Sequence, residues 1–221
     1  MGFRALLAAC ALSLCACATN PANLNITPQS DRGLIVLVAL PSPEAYTLDL
    51  LRYDEERGRL DANTFGGIHT FMVEPTAAPG YLLQEARPGR YLLTNVGVQG
   101  YWAVCFSEQT IAFDLAPGDV VFLGDFNPAP HIRQLHQIAR DTGQTATRGG
   151  AVHFFDDIEP PRLREPTEEG RAALEAFLRR TAPGVTAPVR SATLEPARFG
   201  IGHDIVGQQR ICGGYYERPA Q

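Results

Sequence analysis

Seven apolar residues follow one another without interruption from Leu34 to Leu40, and Pro41-Ser42-Pro43 closes the run. A strand with one wet face would alternate apolar and polar positions, so this unbroken, β-branched run predicts a strand buried on both faces. Alternation returns over residues 46–53, which predicts a second strand. Residues 54–63 read as a charged turn, and residues 68–74 as a third strand before a loop at 75–80.

Three proline-glycine pairs punctuate the next stretch of chain: Pro79-Gly80, Pro88-Gly89 and Pro117-Gly118, each leading into an apolar run. Proline presets φ at the first central turn position and glycine accepts positive φ at the second, so each pair predicts a type II reversal. Their uneven spacing argues for hairpin punctuation rather than a repeat. Runs at 91–98, 101–107, 110–115 and 120–126 complete a count of about seven strands. The expected fold is mainly β, an antiparallel β-sandwich with 33–126 as its core.

Beyond residue 126 the pattern changes. Residues 127–130 form a proline-rich break, and 132–148 are polar with scattered aliphatics, fitting a short helix or an excursion across the sandwich. Residues 152–155 fit an edge or closing strand. One C-terminal packing helix is expected over 168–181, with Thr167 as N-cap, Glu168 and Glu169 at its positive end and Arg179 and Arg180 at its negative end. Leu174, Phe177, Leu178 and Thr181 make an apolar stripe at i, i+3, i+4 and i+7. Residues 188–221 read as an irregular tail with one strand near 197–201. The block 127–221 is thus an extension packed on the core.

The N-terminus carries a different message. Arg4 precedes a run of Ala, Leu and Cys with a single Ser, ending at Ala16, the charged-then-apolar layout of a secretory signal and far shorter than the ~20 residues of a membrane span. Leu14-Cys15-Ala16-Cys17 resembles the lipobox of bacterial lipoproteins, which implies lipidation at Cys17 and removal of residues 1–16. Choosing Cys10 instead would leave too short an apolar core, and Cys15 follows the bulky Leu14. Several acyl chains would hold the protein stably without a spanning helix. Ala18 in place of Asp implies, by resemblance to sorted lipoproteins, the outer membrane of a diderm envelope, with the domain facing the periplasm. Residues 17–32, rich in Asn, Pro, Thr and Ser, read as a flexible tether.

All 19 basic residues are Arg and the formal net charge is −5. No basic patch stands out, which argues against nucleic acid as a partner. Export changes the reading of the two remaining mature cysteines, Cys105 and Cys212. In an oxidising compartment such a pair is expected to form a disulfide, although two buried free thiols would also fit the sequence.

The runs Ala86-Arg-Pro-Gly-Arg-Tyr-Leu-Leu93 and Ile111-Ala-Phe-Asp-Leu-Ala-Pro-Gly-Asp-Val-Val-Phe-Leu-Gly-Asp125 resemble the core of small bacterial lipoproteins of the DUF2846-like type. In those proteins one strand follows an LPPGxY turn and a later one a PGxxxYxGxx segment. Phe122 stands where that pattern has Tyr, and Ala86-Arg87 where it has Leu-Pro. The resemblance covers only these two runs. It implies a prealbumin-like or carboxypeptidase-regulatory-like β-sandwich and no catalytic residue.

Enzyme signatures are thin: there is no Gly-x-Ser-x-Gly, His-Glu-x-x-His or Cys-x-x-Cys. Gly200 to Gly207 contains three glycines, but with spacing unlike a phosphate loop. His131 and His136 are five apart, ~140° around a helix, and make a poor metal pair. His153 with Asp156 and Asp157, and His203 with Asp204, are the other conceivable ligands, and no metal or cofactor is expected. The leading functional expectation is a non-catalytic envelope lipoprotein that binds an envelope protein or peptidoglycan through loops at one end of the sandwich. A periplasmic hydrolase using His153 with Asp156 or Asp157 is the alternative.

Overall fold

The computed structural model describes residues 20–54, 59–60, 68–98, 102–143, 153–155, 159–200, 202–203 and 210–212. A 3-10 turn at Pro21–Asn23 precedes β1 (Gly33–Ala39), β2 (Tyr46–Asp54), β3 (Arg59–Leu60), β4 (Ile68–Val73), β5 (Gly80–Ala86) and β6 (Gly89–Val98). Next come β7 (Trp102–Cys105), β8 (Thr110–Leu115), β9 (Val120–Phe126), α1 (Ala129–Asp141), β10 (His153–Phe155), β11 (Leu163–Arg164) and α2 (Glu168–Thr181). The chain then forms β12 (Val189–Ser191), β13 (Glu195–Ala197), β14 (Gly202–His203) and β15 (Arg210–Ile211).

Two mixed sheets carry the fold. In the smaller, β1 lies between β5 and β9, and the outer edge of β9 is shared by β12 at Val120 to Phe122 and β11 at Asp125 and Phe126. In the larger, β2 and β6 pair along most of their length. The free side of β2 takes β4 and β3, and that of β6 takes β8 and β7, with β13 and β10 outermost. The inner faces share one core: Ile35, Leu37, Val121 and Phe126 from one sheet meet Leu48, Leu50, Val96 and Phe113 from the other.

The sequence signal of β1 has its cause in this arrangement. Ile35, Leu37 and Ala39 enter the core between the sheets, whereas Leu34 and Val36 enter a second core on the opposite face with Val120, Phe122, Leu174 and Leu178. All five β1 residues are at most 1 % exposed. α2 therefore covers the back of the smaller sheet, using the apolar stripe expected of it. Its predicted caps also form, with the Thr167 hydroxyl accepting from Gly170 N at 3.0 Å.

Several expectations need correction. The sheets are not purely antiparallel: β1 and β12 both run parallel to β9, and β10 runs parallel to β7. Apolar pattern and turn chemistry report on neighbours joined by hairpins, but β1 and β9 are separated by seven strands, six of them in the larger sheet, and β9 and β12 by both helices. Such long connections permit parallel pairing. The described residues form two α-helices rather than one. α1 buries His131, Ile132, Leu135 and Ala139 along one face, and its prolines sit in the first turn where no amide donor is needed. The extension does more than pack on the core, because β10 to β13 complete the edges of both sheets.

The expected flexible tether is also not one from Asn20 onward. Leu24 and Ile26 are 2 % and 1 % exposed within the α2 core. Ile26 bridges Val185 in parallel, its amide donates to Gly184 O at 3.2 Å, and its carbonyl accepts from Thr186 N at 2.8 Å.

Of the three proline-glycine pairs, Pro117-Gly118 makes the predicted reversal, with Gly118 at φ 70° and Asp119 N bonded to Ala116 O at 3.2 Å. Gly80 instead begins β5 without positive φ. A glycine outside any proline-glycine pair is more constrained. Gly124, at φ 98°, lies where the β1–β9 register shifts between Val36 and Val38, and a Cβ there would collide with the Arg164 carbonyl of β11. The bulge and the approach of β11 both require a residue without a side chain.

Candidate functional site

The described chemistry converges on the outer face of the larger sheet. Cys105 ends β7 opposite Asn95 of β6 and is buried. It is bonded to Cys212, directly after β15, with the two Cα atoms 5.7 Å apart, within the usual span of a disulfide. This is the expected pairing, and it fastens the C-terminal tail across a sequence separation of 107 residues. Closing a loop of that length is worth ~4–5 kcal/mol on the chain-entropy model.

Beside the bridge sits a polar network that the sequence pattern did not reveal. Asn95 Nδ2 donates to Asp49 Oδ2 at 3.0 Å, and the Thr94 hydroxyl lies 3.2 Å from both Asp49 O and Asn95 Oδ1. Asp49 Oδ1 is buried with no hydrogen-bond partner among the described residues. Burial pushes the Asp49 carboxyl above its ordinary range, against the opposing effect of hydrogen bonds from Thr70 and Asn95. Its hydrogen-bonding partners among the described residues are Thr70 and Asn95. In the sequence, Asp49 looked like an ordinary outward-facing position of an alternating strand. Only the β2–β6 register places it opposite Asn95.

Two histidines, His69 and His131, serve the interior. His131 is fully buried between the rings of Phe106 and Phe126, at centroid distances of 5.0 and 5.8 Å. Its Nε2 accepts from Arg162 N at 3.0 Å, which assigns the proton of the neutral ring to Nδ1. Burial holds this imidazole down to about 4. His69 packs 5.6 Å from the Tyr91 ring and is likewise held to about 4, first by burial and then by the charges of Arg32 and Arg52. His136, on another face of α1, meets the Glu44 carboxylate at 2.9 and 3.0 Å. His131 and His136 are therefore not brought together.

His153 pairs through its backbone with Trp102 in the outermost strand of the larger sheet, and His203 lies in β14. Their side chains, together with Asp156, Asp157, Asp204 and Cys17, lie outside the described residues. Among the described residues no group of three or more His, Cys, Asp or Glu is placed to hold a metal ion, and no helix is long and apolar enough to cross a membrane.

Grooves at three places on the described surface bear on binding. One of about 430 Å³ lies between Pro41-Ser42-Pro43 and Pro75-Thr76-Ala77. Another, of about 620 Å³, involves Gln109, Ile111, Pro196 and Arg198, and the third, of about 510 Å³, runs along the end of α2 and the segment after it. The first has a fixed floor, because Ser42 and Thr76 exchange backbone hydrogen bonds of 3.1 and 2.9 Å and the Ser42 hydroxyl donates to Glu44 O at 2.7 Å. No family model, curated protein or solved structure matches the chain.

The bridge and the buried histidines each carry a measurable consequence. Protein denatured without reductant should show no thiol from Cys105 or Cys212 to a thiol reagent and two after reduction; two before reduction would contradict the bridge. His69 and His131 have folded pKa values below the ordinary 6.5, so the unfolded chain binds their protons first. Their contribution, up to about 3 kcal/mol each, is complete above pH 6.5 and is lost as pH falls toward 4. Asp49 acts in the opposite sense, so the histidine effect is isolated by comparison. Urea unfolding of His131→Gln should show a smaller loss of stability across this window than the natural chain, and an equal loss would contradict it.

Proposed function

We propose that this chain is the precursor of an envelope lipoprotein, anchored through acyl chains on Cys17, whose domain has a structural or binding role rather than a catalytic one. The observation that carries the reading is the combination of a charged-then-apolar leader ending just before Cys17 with a domain in which Cys105 and Cys212 are bonded to each other. Both fit export to an oxidising compartment. The non-catalytic part rests on how the reactive side chains are used. Cys105 and Cys212 are joined, His131 and His69 are neutral packing groups, and His136 is held by Glu44.

A binding role for the loop end fits the rigid groove between Pro41-Ser42-Pro43 and Pro75-Thr76-Ala77. Three prolines and the Ser42–Thr76 bridge fix its shape before any partner arrives, so little ordering entropy is lost on contact. β1 separates this end from the N-terminal segment by ~20 Å of strand. A partner in the envelope, protein or peptidoglycan, would meet the end that points away from the anchor.

Metabolic labelling tests the anchor. The natural chain should incorporate labelled palmitate and fractionate with the outer membrane, whereas Cys17→Ala should lose the label and appear soluble in the periplasm. Label retained by Cys17→Ala, or absent from the natural chain, would contradict the reading.

A further inference from the structure

We infer that the domain does not hang free of the membrane but is held against it, with the C-terminal turn of α2 and the loop after it facing anionic phospholipid headgroups. The inference rests on lipidation at Cys17 and adds to it an orientation. Its first support is chain length. The Asn20 side chain caps the 3-10 turn at Pro21–Asn23. Leu24 and Ile26 are then locked into the core under α2. Only three residue steps separate Cys17 from Asn20, and at 3.3–3.6 Å per step they reach about 10 Å at most. The acyl chains must enter the hydrocarbon, and the headgroup layer above it is only ~5–7 Å deep. The face from which residue 20 emerges therefore cannot stand far from the lipid surface.

The packing of this segment identifies that face. Gly184 is so close to the Leu24 carbonyl that a Cβ would collide with it, and Ile26 pairs with Val185 to Ala187. The surface beside the exit point is thus the end of α2 and its following loop, where Arg179, Pro183, Thr186 and Pro188 border the groove of about 510 Å³. Charge supports the same occupant. Arg179 and Arg180 are both exposed and make no ion pair among the described residues, although the chain as a whole carries a formal charge of −5. Two unpaired cations next to a lipid anchor on an acidic protein complement an anionic headgroup layer.

The test uses the full, lipidated chain in phosphatidylethanolamine vesicles with or without phosphatidylglycerol. A fluorophore is placed on Thr186→Cys or, as the distant control, on Ala77→Cys, and read against a headgroup-linked quencher. Position 186 should be quenched strongly and position 77 little, with the contrast larger on anionic vesicles. Arg179→Glu with Arg180→Glu should lower the ratio of headgroup-associated to free 186 label on anionic vesicles by about fivefold for each arginine lost. Equal quenching at the two positions, in protein that floats with the vesicles, overturns the orientation and leaves lipidation standing. Unchanged quenching in the double variant overturns the assignment of anionic headgroups to this face. Protein that fails to float overturns lipidation at Cys17 and the orientation with it.

Discussion

Burial of β1 on both faces is the constraint around which the rest of the structure is arranged. A strand with no wet side must be covered twice, and each fully buried aliphatic side chain contributes about 1.5–3 kcal/mol only if that cover is complete. The larger sheet covers Ile35 and Leu37, while α2 with the segment at Leu24 and Ile26 covers Leu34 and Val36. The same demand falls on β9, whose successive residues Val121 and Phe122 are divided between the two cores. Neither the helix nor the N-terminal segment is therefore an accessory. Without them the smaller sheet would expose a continuous aliphatic face.

This division explains what could be read from the sequence and what could not. The unbroken run at β1 announced a doubly buried strand, and the caps and stripe of α2 announced an amphipathic helix, because both signals are local. The partner of each was not announced. Leu24 and Ile26 are two aliphatics in a stretch of Asn, Pro and Thr, too sparse to show periodicity, yet the pairing of Ile26 with the 184–187 backbone makes that stretch structural. Parallel pairing of β1 with β9 was equally silent, since it joins segments far apart in sequence. Gly124 gave no signal because its role belongs to a bulge and to the approach of β11, not to a turn motif.

The same contrast separates the bridge from the polar network beside it. Once export was supposed, Cys105 and Cys212 became the expected pair, with two buried free thiols as the other reading. Asp49 and Asn95 could not, because each occupies an unremarkable polar position and only the register of β2 against β6 brings them together. The histidines show the reverse error of emphasis. As isolated letters they invite catalytic readings, whereas His131 between two phenylalanines is a packing residue with one structural hydrogen bond. Within the described residues, the bridge fastens Cys212 to β7 and the core packing on the N-terminal side starts at Leu24, so both flanks of the domain are tied to its two cores.

Native-state amide hydrogen exchange, resolved by residue, tests the central position of β1 most directly. The amides of β1 and β9 should be the slowest to exchange and should open only with global unfolding, while β10 and β13 at the sheet edges exchange through local opening. Exchange of β1 ahead of β2 or β6, or at the rate of the edge strands, would contradict a fold organised around a strand covered on both sides.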